Sequence, residues 1–405
     1  MEDLINYVKE HKKEFAIGAG VVAGLGAFGM IYKYRKGMIT STYDQEGFYL
    51  DPKFTENVLL YKEEAIKRRQ IISKMGKYDL ILALRKGETF DGFVTIAFEV
   101  ADTEFDEEDL FLDYHGLGIK DLKINDVQAT TSLFDGQRIT LPKKLLKIGE
   151  TNVVSCSFKS KYRKNGTGFH SFIDPEDGSQ YTYTQFEAFN CHRAFPCFDQ
   201  PDMRAVLGVK TLSPKDWTIV SVGLETGSYF PDAEGYSKVA EGVPSELIEK
   251  YDEPYYIQTY HDSPSVTPYI YAFIAGPYDY IEQTAEIPGR TDPLLMRLYF
   301  RKSLKADAER VKEYMFEPTV QGIHWYSEFF GYNYPYQKYD QIFAPEFKFG
   351  AMENLGTVTF TERLLFRGKE ISEKDWTTLI NVVLHELCHH WFGNLVTMKW
   401  WNDLW

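Results

Sequence analysis

Cysteine is scarce in this chain: four residues, Cys156, Cys191, Cys197 and Cys388, among 405. None sits in the close doublets of a cysteine zinc ribbon and the four make no disulfide framework, so both classes are excluded while the redox compartment stays open. Positive charge is in deficit as well. With 45 Lys and Arg against 59 Asp and Glu, the formal net charge of −14 argues against a nucleic-acid surface and suits recognition of ammonium groups. Internal repeats and low-complexity tracts are absent. A single glycosylation sequon, Asn165-Gly166-Thr167, carries little weight because such triplets are common by chance.

What is present begins with His385-Glu386-Leu387-Cys388-His389. Residues four apart are neighbours on a helix, so two neutral imidazoles can hold one zinc ion with Glu386 beside it as general base. Val382, Val383 and Leu384 before the motif and Trp391-Phe392 after it predict a helix buried at the floor of a cleft, stopped by Gly393-Asn394. Cys388 reads as a small core residue rather than a ligand. His390 points about 100° away from His389 around the helix and reads as a packing residue or as support for the ligands.

Upstream stands Gly350-Ala351-Met352-Glu353-Asn354. Here the sequence resembles the zinc aminopeptidases of the aminopeptidase N family, whose substrate-binding signature has the same five letters. Lys338-Tyr339-Asp340-Gln341, Trp391 to Met398, Trp400-Trp401, and Thr184 to Ala188 followed by Arg193 to Pro201 extend the similarity, from near Leu59 to Trp405. Phe189-Asn190-Cys191-His192 departs from the family pattern, so contacts near the pocket for the substrate N-terminus are expected to differ. The resemblance implies that Glu353 and Glu187 bind the substrate amine, that Gly350, Ala351, Met352 and Asn354 line the substrate strand, and that His385 and His389 bind zinc while Glu386 acts as base. It also implies a third zinc ligand, a glutamate counted three residues beyond Trp405, with Asp403 in a supporting role. One zinc per complete site is expected, held weakly if Trp405 is the natural end.

The expected architecture is multidomain α+β: a β-rich saddle-like N-terminal domain, then the first half of a thermolysin-like α+β catalytic domain, with an N-terminal membrane helix. Phe15 to Tyr32 is an uncharged run about as long as a bilayer core is thick, flanked by Lys12-Lys13 and by Lys33, Arg35 and Lys36. It reads as a single-pass anchor (15–32 within 1–36), and Gly20 and Gly24 suit contact with another membrane helix. Basic residues balance on its two sides, so neither orientation nor the choice among cell surface, endomembrane and mitochondrial inner membrane follows. Residues 37–76 read as a linker and a helix with helical spacing from Thr55 to Met75, residues 77–285 as the β domain, and 286–405 as the incomplete peptidase domain with a helix from Leu304 to about Phe330.

The function expected is zinc-dependent removal of N-terminal residues from peptides with a free amine. Two other readings stay open: a non-catalytic membrane-anchored subunit of a larger complex, and a half-enzyme completed in trans by another chain.

Overall fold

The computed structural model describes residues 44, 46–49, 59–106 and 110–404. The anchor expected at 15–32 lies outside them; among the described residues no helix is long and apolar enough to cross a membrane.

The first described helix, α1 (Lys62–Ile71), is shorter than the expected Thr55 to Met75. Ile72 opens the strand Ile72–Ala83 instead and pairs with Val100, because the long-range ladder with Thr89–Val100 outcompetes helical spacing over those few residues. That strand belongs to an eight-stranded mixed sheet in the order Glu225–Tyr229, Tyr255–Tyr260, Val206–Pro214, Ile72–Ala83, Thr89–Val100, Thr151–Lys161, Gly118–Ile124, Val127–Gln128. A four-stranded sheet, Thr218–Ser221, Phe273–Gly276, Gln180–Gln185 and Gly168–Ile173, shares its core. Aromatic edges fill the space: Phe98 meets Phe198 at 5.1 Å between centroids, and Tyr78 meets Phe195 and Tyr271 at 6.3 Å each.

Charge is buried at the seam between α1 and this β region. Fully buried Arg68 donates to Asp113 (2.7 Å) and to Gln200 (3.1 Å), and Asp199 binds the His192 ring at 2.7 Å. A buried cation needs such partners, since removing any one strands a charge out of water.

A second, five-stranded sheet runs Asp279–Ala285, Leu294–Phe300, Lys338–Ala344, Thr357–Thr361, Ala351–Met352. Asp279–Ala285, placed with the β domain on sequence, pairs in full with Leu294–Phe300 and so belongs to this sheet. Two helices pack beside it, α2 (Lys305–Phe330) and α3 (Glu373–Cys388). Gly331 ends α2 at φ +62, a left-handed cap that glycine takes without strain. Ser372 and Asp375 open α3 with reciprocal side-chain-to-backbone bonds of 3.3 and 3.1 Å, a capping box. Leu379, Val383, Glu386 and Leu387 then recur at helical spacing as its buried face, each of the three apolar ones contributing about 2 kcal/mol by leaving water.

Candidate metal centre

The helix α3 stops at Cys388, five residues before the glycine that sequence spacing chose as its end. His389 is its C-cap, still helical at φ −57, and its N–H still reaches the His385 carbonyl, so the two imidazoles keep the spacing of one turn. Gly393, at φ +135, closes the loop that follows. The helix is also less buried than expected. His385 and Phe392 are exposed, and only the Leu379–Val383–Glu386–Leu387 face turns inward, because nothing among the described residues packs over the other side.

The Nε2 atoms of His385 and His389 lie 3.0 Å apart. Two nitrogens each about 2.1 Å from one tetrahedral ion would stand about 3.4 Å apart, so a slight opening fits zinc between them. The protonation pattern suits this. Nδ1 of His389 lies 2.9 Å from the Phe392 carbonyl, which can only accept, so the proton sits on Nδ1 and the lone pair of Nε2 faces the site. Burial holds both rings below the ordinary histidine value, His385 also through its neighbour His389, which keeps them neutral and able to ligate.

Three carboxylates converge here from distant parts of the chain. Oxygens of Glu353 and Glu386 and a ring nitrogen of His389 lie within 4.8 Å of one another. Glu187, half-buried just past the strand Gln180–Gln185, is the third. Burial, then repulsion from Glu353 and Glu187, pushes Glu386 up to about 9; burial, then Glu353, pushes Glu187 up to about 7; burial raises Glu353. Carboxylates this poorly compensated ionise together only beside cations, and the donor set of two imidazoles and crowded carboxylates fits a zinc ion beside an organic ammonium.

The backbone around Glu353 is fastened on two sides. Ala351 and Met352 form the edge strand, opposite Phe360 and Thr359, and the Asn394 side chain donates to the Glu353 carbonyl at 2.9 Å. Gly350, exposed at the cleft rim, accepts from Thr361 N, and Asn354 donates to the Thr359 hydroxyl at 3.2 Å. The outward edge of Gly350 to Met352 has no strand beside it among the described residues, so its backbone is free to pair with an extended ligand. Asp403 lines the same cavity of about 170 Å³ as Glu353 and His389, but its carboxylate is outside the metal-sized cluster. Cys388 is half-buried against Tyr326 and joins no ligand group.

Sequence spacing missed Tyr269 and Arg204. Tyr269 lies in a short turn, is 1% exposed and turns its hydroxyl toward Glu353. Arg204 reaches from the β region to the Asn394 carbonyl (2.9 Å) and the Thr397 hydroxyl (2.7 Å), tying down the loop after His389. No local pattern marks either residue; each acquires its role only when distant segments meet.

Comparison with known proteins bears on both halves. Residues 74–234 match the Peptidase M1 N-terminal domain, and residues 314–405 the Peptidase family M1 domain. Aminopeptidase N of Streptomyces lividans is 34% identical over 352 residues, 85% of this chain and 36% of that protein. Aminopeptidase N of Homo sapiens is 35% identical over 223 residues, 55% of this chain and 21% of its own length. Puromycin-sensitive aminopeptidase of Caenorhabditis elegans is 33% identical over 270 residues, 66% and 24%. The chain thus spans about a third of the bacterial relative and a quarter or less of the animal ones. Matched both in its β region and in the helix that carries His385 and His389, the chain belongs to the peptidase M1 family and is an aminopeptidase N-like member of it.

Proposed function

We propose that the protein of which this chain forms at least a part is a zinc-dependent aminopeptidase. The observation that carries the reading is the convergence of Glu353 and Glu386 on His389, whose ring meets that of His385 at 3.0 Å, with Glu187 close enough to interact with Glu353, Glu386 and His389. His385 and His389 would hold the metal, with a further ligand beyond Trp405. When bound, zinc supplies Lewis-acid polarisation of a peptide carbonyl and a nucleophile at neutral pH. Glu386, buried and adjacent to both ligands, accepts the proton released on attack and passes it to the leaving amine. Glu353 and Glu187 pair with the α-ammonium of the substrate, which aligns the first peptide bond with Glu386. An acetylated N-terminus has no charge to offer them. The open edge at Gly350 to Met352 steadies the peptide backbone, as an added strand would.

The test is hydrolysis by the full-length protein of one short peptide with its N-terminus free or acetylated. Release of the first residue from the free form alone, lost on chelation and in Glu386→Gln, is the expected result. Internal cleavage, or equal turnover of both forms, overturns it.

A second reading, completion in trans by another chain, is supported by an apolar groove of about 750 Å³ between α2 and α3, lined by Tyr314, Pro318, Trp325, Tyr326, Ile380 and Leu384. A purified native protein that is catalytically competent with no second chain over this groove would dismiss it.

We also propose that residues 15–32 anchor the protein in a membrane, supported by their uncharged length and basic flanks. Release of the protein into the soluble fraction by alkaline carbonate would count against that.

A further inference from the structure

Two segments far apart in the chain must meet at a set distance for the site to work: the end of α3, with Glu386 and His389, and the turn that follows Glu353. His390 joins them. Its backbone N–H bonds three residues back to Leu387 (3.0 Å), so the Glu386 carbonyl loses the donor a continuing helix would provide. The imidazole fills that vacancy, Nδ1–H donating to Glu386 O at 3.1 Å. On its other side Nε2 accepts the N–H of Gly356 at 3.1 Å. A carbonyl only accepts and an amide N–H only donates, so the tautomer is fixed by the two partners.

Gly356 is no ordinary loop position. It sits at φ +55 in the turn closed by Thr357 N to Asn354 O (3.1 Å), and a Cβ there would come within 3.0 Å of the Lys338 carbonyl. Its N–H therefore has one direction to point, three residues after Glu353. The ring that meets it is fully buried, with Tyr334, Tyr336 and Tyr339 centroids 5.6, 5.5 and 5.2 Å away, and Tyr336 adds a bond to the His390 carbonyl at 3.3 Å. Water cannot stand in for either ring nitrogen in such a shell.

We propose that His390 is a positioning residue: by bridging the Glu386 carbonyl to the Gly356 amide it sets the separation between the metal-binding helix and the Glu353 carboxylate, and so determines how well a free amine is read. This rests on the amine-binding role given to Glu353 above. His390 itself touches neither metal nor substrate.

The experiment uses the full-length protein and two ligands that it cannot cleave, L-phenylalanine and N-acetyl-L-phenylalanine, with affinities from NMR titration. Wild type should favour the free amine. His390→Phe keeps size and loses both polar atoms, and should cut that preference about tenfold, the lower end for removing a ligand's supporting partner, with zinc content unchanged. His390→Gln, whose amide also offers one donor and one acceptor, should retain it within about threefold. A preference undiminished in His390→Phe overturns the positioning role and leaves the aminopeptidase reading intact; no preference in wild type overturns both. Should His390→Phe not fold, hydrogen exchange of wild type decides: the bridge requires a strongly protected Gly356 amide, and an amide exchanging at the unprotected rate overturns it.

Discussion

The β region and the peptidase region finish their surfaces differently. Between Ile72 and Gly276 the large exposed hydrophobics are scattered, Val127, Val153 and Ile173 among them, and its aromatics face inward. Between Tyr314 and Tyr332 they crowd along one helix: Trp325 is 56% exposed and Phe329 65%, with Tyr314, Phe330 and Tyr332 beside them. A closed β core needs no partner, whereas a helix face with this much apolar surface has the character of half an interface. The candidate metal site mixes these two conditions, with Glu353 and Glu386 buried and His385 exposed.

Substitutions can break this contrast or sharpen it. The largest expected effect is in the closed core: Phe98→Ala should cost about 4 kcal/mol in chemical denaturation, since a buried ring edge-on to Phe198 leaves a cavity that packed strands cannot fill. Trp325→Ser, at the open face, should change stability by less than about 0.5 kcal/mol while lowering self-association in sedimentation. If Trp325 proves as costly as Phe98, the helix face is not open in solution.

Next comes the candidate metal site. His389→Ala removes one of the two proposed imidazole ligands and should weaken zinc binding by about 100-fold or more in equilibrium dialysis, without moving the melting temperature of the metal-free protein by more than a few degrees. Arg204→Ala severs the tie from the β region to the loop after His389 and should cost about 1–2 kcal/mol, with faster amide exchange confined to 393–398.

A further modest effect concerns pH. Lys338 is buried against Asp340 (2.6 Å), and burial lowers it from 10.5 to about 8. Between those values the unfolded chain holds a proton that the folded chain has released, so this group adds stability as pH rises and withdraws it as pH falls through 8. Comparing wild type with Lys338→Met at pH 8 and pH 9 should show about 1 kcal/mol of that gain missing from the variant. An identical pH slope would mean that Lys338 stays charged throughout, shared between Asp340 and the Thr357 hydroxyl (2.9 Å).

How much of this was written locally follows from the same contrast. The His385–His389 pair, Glu386 and Glu353 lie in short motifs whose chemistry depends on spacing along a helix or a strand, and the structure brings them together. The helix over 304–330 was equally legible, because its apolar period runs for seven turns. The end of α3 was not: glycine at 393 suggested a stop, yet the turn tightens after Cys388, where the His390 ring rather than a backbone N–H takes up a carbonyl. Ile72 went to a strand because its partner Val100 lies 28 residues away, beyond any local window. Tyr269 and Arg204 act across 84 and 190 residues, on Glu353 and Asn394, and nothing near either foretells it.

The five-stranded sheet ends on one side in Asp279–Ala285 and on the other in Ala351–Met352. Seven residues of unpaired edge would invite a foreign strand, and this one carries Asp279 and Glu282, whose charge discourages a lasting fit. The opposite margin is only two residues long. An edge so short leaves a foreign strand little to pair with, so the sheet can stay open there without becoming a seed for aggregation.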